Sequence, residues 1–148
     1  MEHPLGFPIV EGSTTDNSKS CTNCVWAVTR GRHKHQYCVG AGYKKIESNF
    51  PACKFWLSSL DCLRCGACCG PAYDAVEVSR RDPVRKTQPD WIVQVEGRYQ
   101  MKRRSNNTCL ALQEDLCCTI YADRPKCCRD FAQGGSNCWF ARRRLGLP

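Results

Sequence analysis

Residues 61–70 read DCLRCGACCG, placing four thiols within eight residues and ending on two that are adjacent. Cys62, Cys65 and Cys68 repeat a two-residue gap. A Cys-x2-Cys unit makes a tight turn that aims both sulfurs at one ion, and here two such units are chained. Cys69 follows at once, one residue too soon to join the other three easily at the same ion. The stretch reads as a metal-held loop with one thiol left over for a second task.

The wider composition agrees with metal. The chain has 148 residues and 14 cysteines, a density found where disulfides or metals hold the fold. No run of about 18 apolar residues occurs, so neither a transmembrane helix nor a membrane partner is expected. The opening, MEHPLGFPIVEGSTTDNSKS, has no basic start and no apolar stretch of about 7–15 residues, so a secretory leader is not expected. The expected location is therefore cytoplasmic, where thiols stay reduced and dense cysteines bind metal. A disulfide framework is the alternative, should the chain be exported by another route.

The net charge of +8 gathers at residues 30–34, 80–81, 85–86, 102–104 and 142–144. Such clusters can mark a nucleic-acid or anionic-lipid surface, and nucleic acid is carried as a less favoured partner. They also offset thiolate charge. About 12 thiolates around three divalent ions would bring the net charge to about +2.

Three segments follow from the patterning. Residues 1–20 are polar and turn-rich and read as a disordered tail. Residues 21–57 read as a small module with Cys21, Cys24, Cys38 and Cys53, a possible zinc knuckle. It has a strand in CVWAVTRG, a short helix in AGYKKIESNF and an apolar plug at Phe55, Trp56 and Leu57. So short a segment cannot bury enough surface to fold unaided, so it needs a metal staple or docking onto the rest. Residues 61–148 form the main domain. There Ala75-Val76-Glu77-Val78 alternates as a strand, and Ser79 is placed to cap a short helix. Residues 91–95 and 98–101 read as a hairpin turning at Glu96-Gly97. Cys109 and Cys118 lie on short extended pieces, Arg124-Pro125 opens a helix, and Asn137 caps the last one. The expected fold is small α+β and metal-stapled. Short strands, one hairpin and short helices surround a cysteine-rich metal core, with little regular structure.

Adjacent cysteines occur at 68–69, 117–118 and 127–128. Neighbouring side chains point apart on a strand and diverge by about 100° on a helix, so two adjacent sulfurs rarely share one tetrahedral ion. One pair can serve two neighbouring sites, or one member can be a ligand while the other packs as a small hydrophobe. The 62–69 run is not a ferredoxin run, whose fourth Cys and Pro fall elsewhere.

CLRCGACC at residues 62–69 resembles the signature of the CxxCxxCC, YkgJ-type, zinc- or iron-chelating cysteine-cluster family. The resemblance continues in order through Cys109-Leu110-Ala111-Leu112, Cys118-Thr119-Ile120-Tyr121, the 124–131 stretch RPKCCRDF, and Cys138. It spans about residues 61–148. It implies eight ligands: Cys62, Cys65, Cys68, Cys69, Cys109, Cys118, Cys128 and Cys138. Cys117 and Cys127 fall outside that pattern. The four N-terminal thiols also fall outside it, and would suit a separate zinc site with His33 or His35 as substitute ligands, or would pack against or add to the main cluster.

The cofactor expected is zinc or iron, an iron–sulfur cluster included, since thiolates suit both. The main domain has no histidine, which removes the usual general base and disfavours a hydrolytic zinc site. The function expected is a cytosolic metal-binding protein. Two alternatives remain open. One is an enzyme related to flagellin lysine N-methylases, whose cysteine pattern is similar, although no G-x-G-x-x-G loop is present. The other is a zinc-stapled nucleic-acid-binding adaptor.

Overall fold

The computed structural model describes residues 2–10 and 18–148. Its elements are β1 (Ala27–Arg30), β2 (His35–Cys38), β3 (Lys44–Lys45), α1 (Val84–Thr87), β4 (Ile92–Val95), β5 (Arg98–Met101), α2 (Lys126–Arg129) and α3 (Ser136–Arg144). Much of the remainder is turn and irregular chain, as the fold-class expectation requires. The chain divides into two units, Met1–Leu60 with Gln133–Pro148, and Asp61–Ala132.

The first unit is built on an antiparallel sheet in the order β1-β2-β3. Its register pairs Ala27 with Cys38 and Arg30 with His35, so the strands deliver Cys38 to the buried end. AGYKKIESNF is not helical. Gly42 and Tyr43 have φ of 65° and 62°, which turns the chain back, and the Ile46 N–H then donates to the Gln36 carbonyl. Ladder pairing with β2 won over the local apolar spacing.

The N-terminal stretch is not all tail. Glu2 bridges Pro8 and Ile9 bridges Cys53, while His3 and Leu5 are buried. The apolar residues Leu5 and Phe7 supply the reason, since they complete a core that is otherwise small. Residues 11–17 of the expected tail lie outside the described residues.

The last helix of this unit presents Trp139, whose ring meets Trp26 edge-on at 5.0 Å and Phe55 at 5.2 Å. Asn137 lies inside the helix, and Gly135 takes the N-cap place. Arg142 is buried and donates from Nε to the Pro148 carbonyl, while Arg143 stacks 3.8 Å from the Phe55 ring centre. Arg142 and Arg143 are thus engaged within the fold.

The second unit is a meander around Val76, Val78, Val84, Met101, Cys109, Ala111 and Ile120. β4 and β5 form the expected hairpin, with Ile92 opposite Met101. Glu96 and Gly97 both have positive φ, 49° and 78°, the two-residue turn whose twist matches the strands. Val76 and Val78 turn inward while Glu77 stays exposed, and both flank β5 through backbone hydrogen bonds to Tyr99 and Met101. Ser79 does not cap α1. Its N–H instead donates to Asp82 Oδ2, and the helix begins at Val84 after Pro83.

Gly40 tests the aromatic packing. A Cβ there would lie 2.5 Å from the Trp139 ring, which is buried against the rings of Phe7, Trp26 and Phe55. Gly40→Ala is expected to destabilise the first unit by about 1–3 kcal/mol, measured by chemical unfolding followed through tryptophan fluorescence.

Candidate metal centre

The 61–70 loop is shaped by its own backbone. The Leu63 N–H donates to Asp61 Oδ1 at 3.0 Å, and the N–H groups of Cys65 and Gly66 both reach the Cys62 carbonyl. Gly66 then takes φ +58° and the Gly70 N–H closes on the Gly66 carbonyl at 2.7 Å. A side chain at Gly70 would come 2.9 Å from that same carbonyl. The glycines therefore permit the tight return that leaves Cys68 and Cys69 with their sulfurs 4.0 Å apart.

Other elements bring further thiols to this loop. The Cys109 N–H donates to the Cys69 carbonyl at 2.9 Å, and Leu112 bridges Cys118 across the next turn. Cys69 feels the charges of Cys68, Cys109 and Cys118, and Cys128 feels those of Cys127, Cys69 and Cys109. Cys68, Cys69, Cys109, Cys118 and Cys128 thus form one connected group. A hydrogen bond from Cys69 holds the Cys68 thiol low and pushes Cys69 up, so the adjacent pair shares one proton.

The remaining thiols divide clearly. Cys62 is exposed and Cys65 half-buried in the same loop. Cys127 lies 3.9 Å from Cys128 and its thiol donates to the Glu77 carbonyl at 3.2 Å. Cys117 is associated with Asp115, and burial followed by that carboxylate pushes its thiol up. Cys138 belongs to the first unit, packed against Trp26, Val39 and Trp139. Among the described residues, which include all 14 cysteines, there is no disulfide. Nor do three His, Cys, Asp or Glu side chains there already stand at metal-ligand geometry.

Three groups invisible to cysteine spacing hold this arrangement. Arg103 donates to the carbonyls of Gly70, Tyr73 and Asn107, and Arg104 to those of Cys109, Leu110 and Leu112. Both guanidinium charges favour the Cys109 thiolate, although burial pushes that thiol up overall. Within the 102–104 cluster, Arg103 and Arg104 brace backbone carbonyls, while Lys102 and Arg104 remain exposed. Arg103 Nε is buried with no hydrogen-bond partner, a free donor in a thiol-rich site. Asp82, its side chain 2% exposed, accepts from the N–H groups of Ser79 and Lys126 and from Arg129. It thereby satisfies an orphan N–H at the start of α2 and fixes the turn that carries Cys127 and Cys128.

This donor set fits a soft or borderline cation. Thiolates gathered at such spacing repel one another, and a bound ion relieves that repulsion. Zinc or iron held there would supply positive charge to Cys68, Cys69, Cys109, Cys118 and Cys128.

Comparison with known proteins follows the same residues. Residues 61–143 match the CxxCxxCC family, described as "Putative zinc- or iron-chelating domain". The chain belongs to the CxxCxxCC family. A relative from Escherichia coli O157:H7, "Uncharacterized protein YkgJ", is 30% identical over 106 residues, covering 62% of this chain and 97% of its own length. No solved structure matches the chain. The CxxCxxCC match takes in the whole second unit and α3 as far as Arg143, and so includes Cys138. Metal binding is thus a property of the family to which the chain belongs. No helix among the described residues is long and apolar enough to cross a membrane.

Asp82 gives a test independent of metal chemistry. Burial would raise its pKa, but the Ser79 and Lys126 N–H groups and Arg129 outweigh burial and hold it below the usual carboxylate value. A folded pKa below the unfolded one means stabilisation that is complete above the unfolded value, about 3.9. It is lost as pH falls through the folded pKa. Asp82→Asn is expected to cost about 1–3 kcal/mol at neutral pH, with the gap from wild type closing below about pH 4 in urea unfolding series.

Proposed function

We propose that the second unit is a multi-thiolate centre for zinc or iron in which Cys69 is shared between two metal positions. Its ligands are Cys62, Cys65, Cys68, Cys69, Cys109, Cys118 and Cys128, all within that unit, and Cys138, which lies in the first unit, is left out of the set. The observation that supports this is that Cys69 feels the charges of Cys68, Cys109 and Cys118 and in turn acts on Cys128. A sulfur with several thiol neighbours is suited to bridging, whereas a single four-coordinate ion needs no bridge.

The role is to hold or hand on metal within the cytoplasm, not to catalyse hydrolysis. Cys62 and Cys127 are exposed, which leaves a route for metal exchange at the edge of the group. No histidine occurs in residues 61–148 to serve as a general base.

Anaerobic purification of the full chain, followed by elemental analysis and a visible spectrum, tests this reading. Bound zinc or iron is expected, with a brown colour if the centre is an iron–sulfur cluster. Cys68→Ser and Cys128→Ser should each lower the metal content. Cys127→Ser should leave it nearly unchanged, since Ser keeps a donor for the Glu77 carbonyl. Equal loss in all three variants, or a metal-free native protein, would contradict the assignment.

A further inference from the structure

The first unit holds a second thiol group, which lies wholly outside the matched residues 61–143. Cys21 feels the charges of Cys24, Cys38 and Cys53, Cys38 feels that of Cys24, and Cys53 feels those of Cys24 and Cys38. Each of the six pairs is thus within electrostatic range. The four line a cavity of about 10 Å³, together with His3. That is room for roughly one water-sized sphere, and a metal ion is smaller.

Burial pushes all four thiols up, and at three of them backbone N–H groups partly offset it. Backbone N–H groups of Trp26 and Leu57 point at the Cys24 sulfur, those of Gly40 and Ala41 at Cys38, and that of Phe55 at Cys53. A thiol packed only as a small hydrophobe needs no such donors. Local turns after three of the cysteines aim these N–H groups, the arrangement that a Cys-centred metal loop produces.

His3 completes the set, whereas His33 and His35, expected as substitute ligands, are exposed on the β1–β2 hairpin. The Leu5 N–H donates to His3 Nδ1 at 3.0 Å, which fixes the proton of the neutral ring on Nε2. Nε2 lies 3.2 Å from the Cys21 sulfur and 3.0 Å from the Pro51 carbonyl. It faces both as a donor, and so does not offer a lone pair to an ion. Nearby, Arg143 has a positive charge felt by Cys53, and its Nε and Nη2 are buried without hydrogen-bond partners. A metal held by four thiolates carries excess negative charge, which this guanidinium offsets.

We propose that Cys21, Cys24, Cys38 and Cys53 close around one divalent ion of the zinc class, forming a structural site separate from the second unit's centre, with His3 donating to the Cys21 sulfur and not binding the ion. Four sulfurs with no carboxylate or open position make a closed structural site, not a catalytic one. Through His3 the ion also fastens the N-terminal segment, which otherwise holds the core by short bridges. The site does not depend on the reading of the 62–70 centre.

Cysteine-specific alkylation of the native full chain, mapped by peptide mass spectrometry with and without added Zn²⁺, tests it without any variant. All four thiols are expected to be protected at least about tenfold by zinc, and to become reactive together on adding a chelator. Unchanged reactivity, or protection of only some of the four, would overturn the site. Cys68, Cys69, Cys109, Cys118 and Cys128 are read in the same digest, so failure of either centre is seen separately. His3→Ala should weaken zinc retention about tenfold while His3→Gln, which keeps an N–H donor, stays near wild type. Stoichiometric zinc loss in both variants would make His3 a ligand and overturn its assignment as a donor.

Discussion

Negative charge crowded where water is scarce must meet positive charge, and this condition shapes both units of the chain. Neither unit has a large apolar core. The first depends on Leu5, Ile46, Trp26, Val39 and Trp139, and the second on three valines, Met101 and Ile120. Thiols occupy places that a larger domain would fill with Leu or Phe. Without a cation they stay protonated, as burial and neighbouring thiols push Cys21 up to about 12. Metal binding must then displace protons, and the free energy it releases is folding free energy.

The two thiol groups differ in how far they are closed. Cys21, Cys38 and Cys53 are buried around a cavity of about 10 Å³. The second group has Cys62 and Cys127 exposed at its edge. A closed site suits permanent stapling, and an open one suits exchange. The basic residues take on a different meaning in this setting. Arg103, Arg104 and Arg143 serve thiols and carbonyls inside their own units. Part of the +8 charge is therefore a counterweight to sulfur.

Local signals were legible in the sequence wherever they were strong. Glu96-Gly97 between apolar runs marked the hairpin, alternation at 75–78 marked the inward valines, and the Cys-x2-Cys steps marked the loop at 62–70. Boundaries slipped where several weak signals competed, as at Ser79, Asn137 and the 41–50 stretch, of which Lys44–Lys45 pairs as strand. What stayed hidden was long-range. His3 stands 18 residues from Cys21 in a segment without periodicity, and only folding brings its ring to that sulfur. Asp82 acts on a helix 44 residues away, and no spacing rule links the two. Cys138 followed the family order in sequence, yet packs with the aromatic cluster of the first unit.

X-ray absorption at the metal edge of the native full chain tests the claim of thiolate centres most directly. A first shell of sulfur alone, at about 2.3 Å, with a further metal–metal vector from the shared Cys69 position, is the predicted result. A first shell rich in nitrogen or oxygen, with sulfur in the minority, would contradict it.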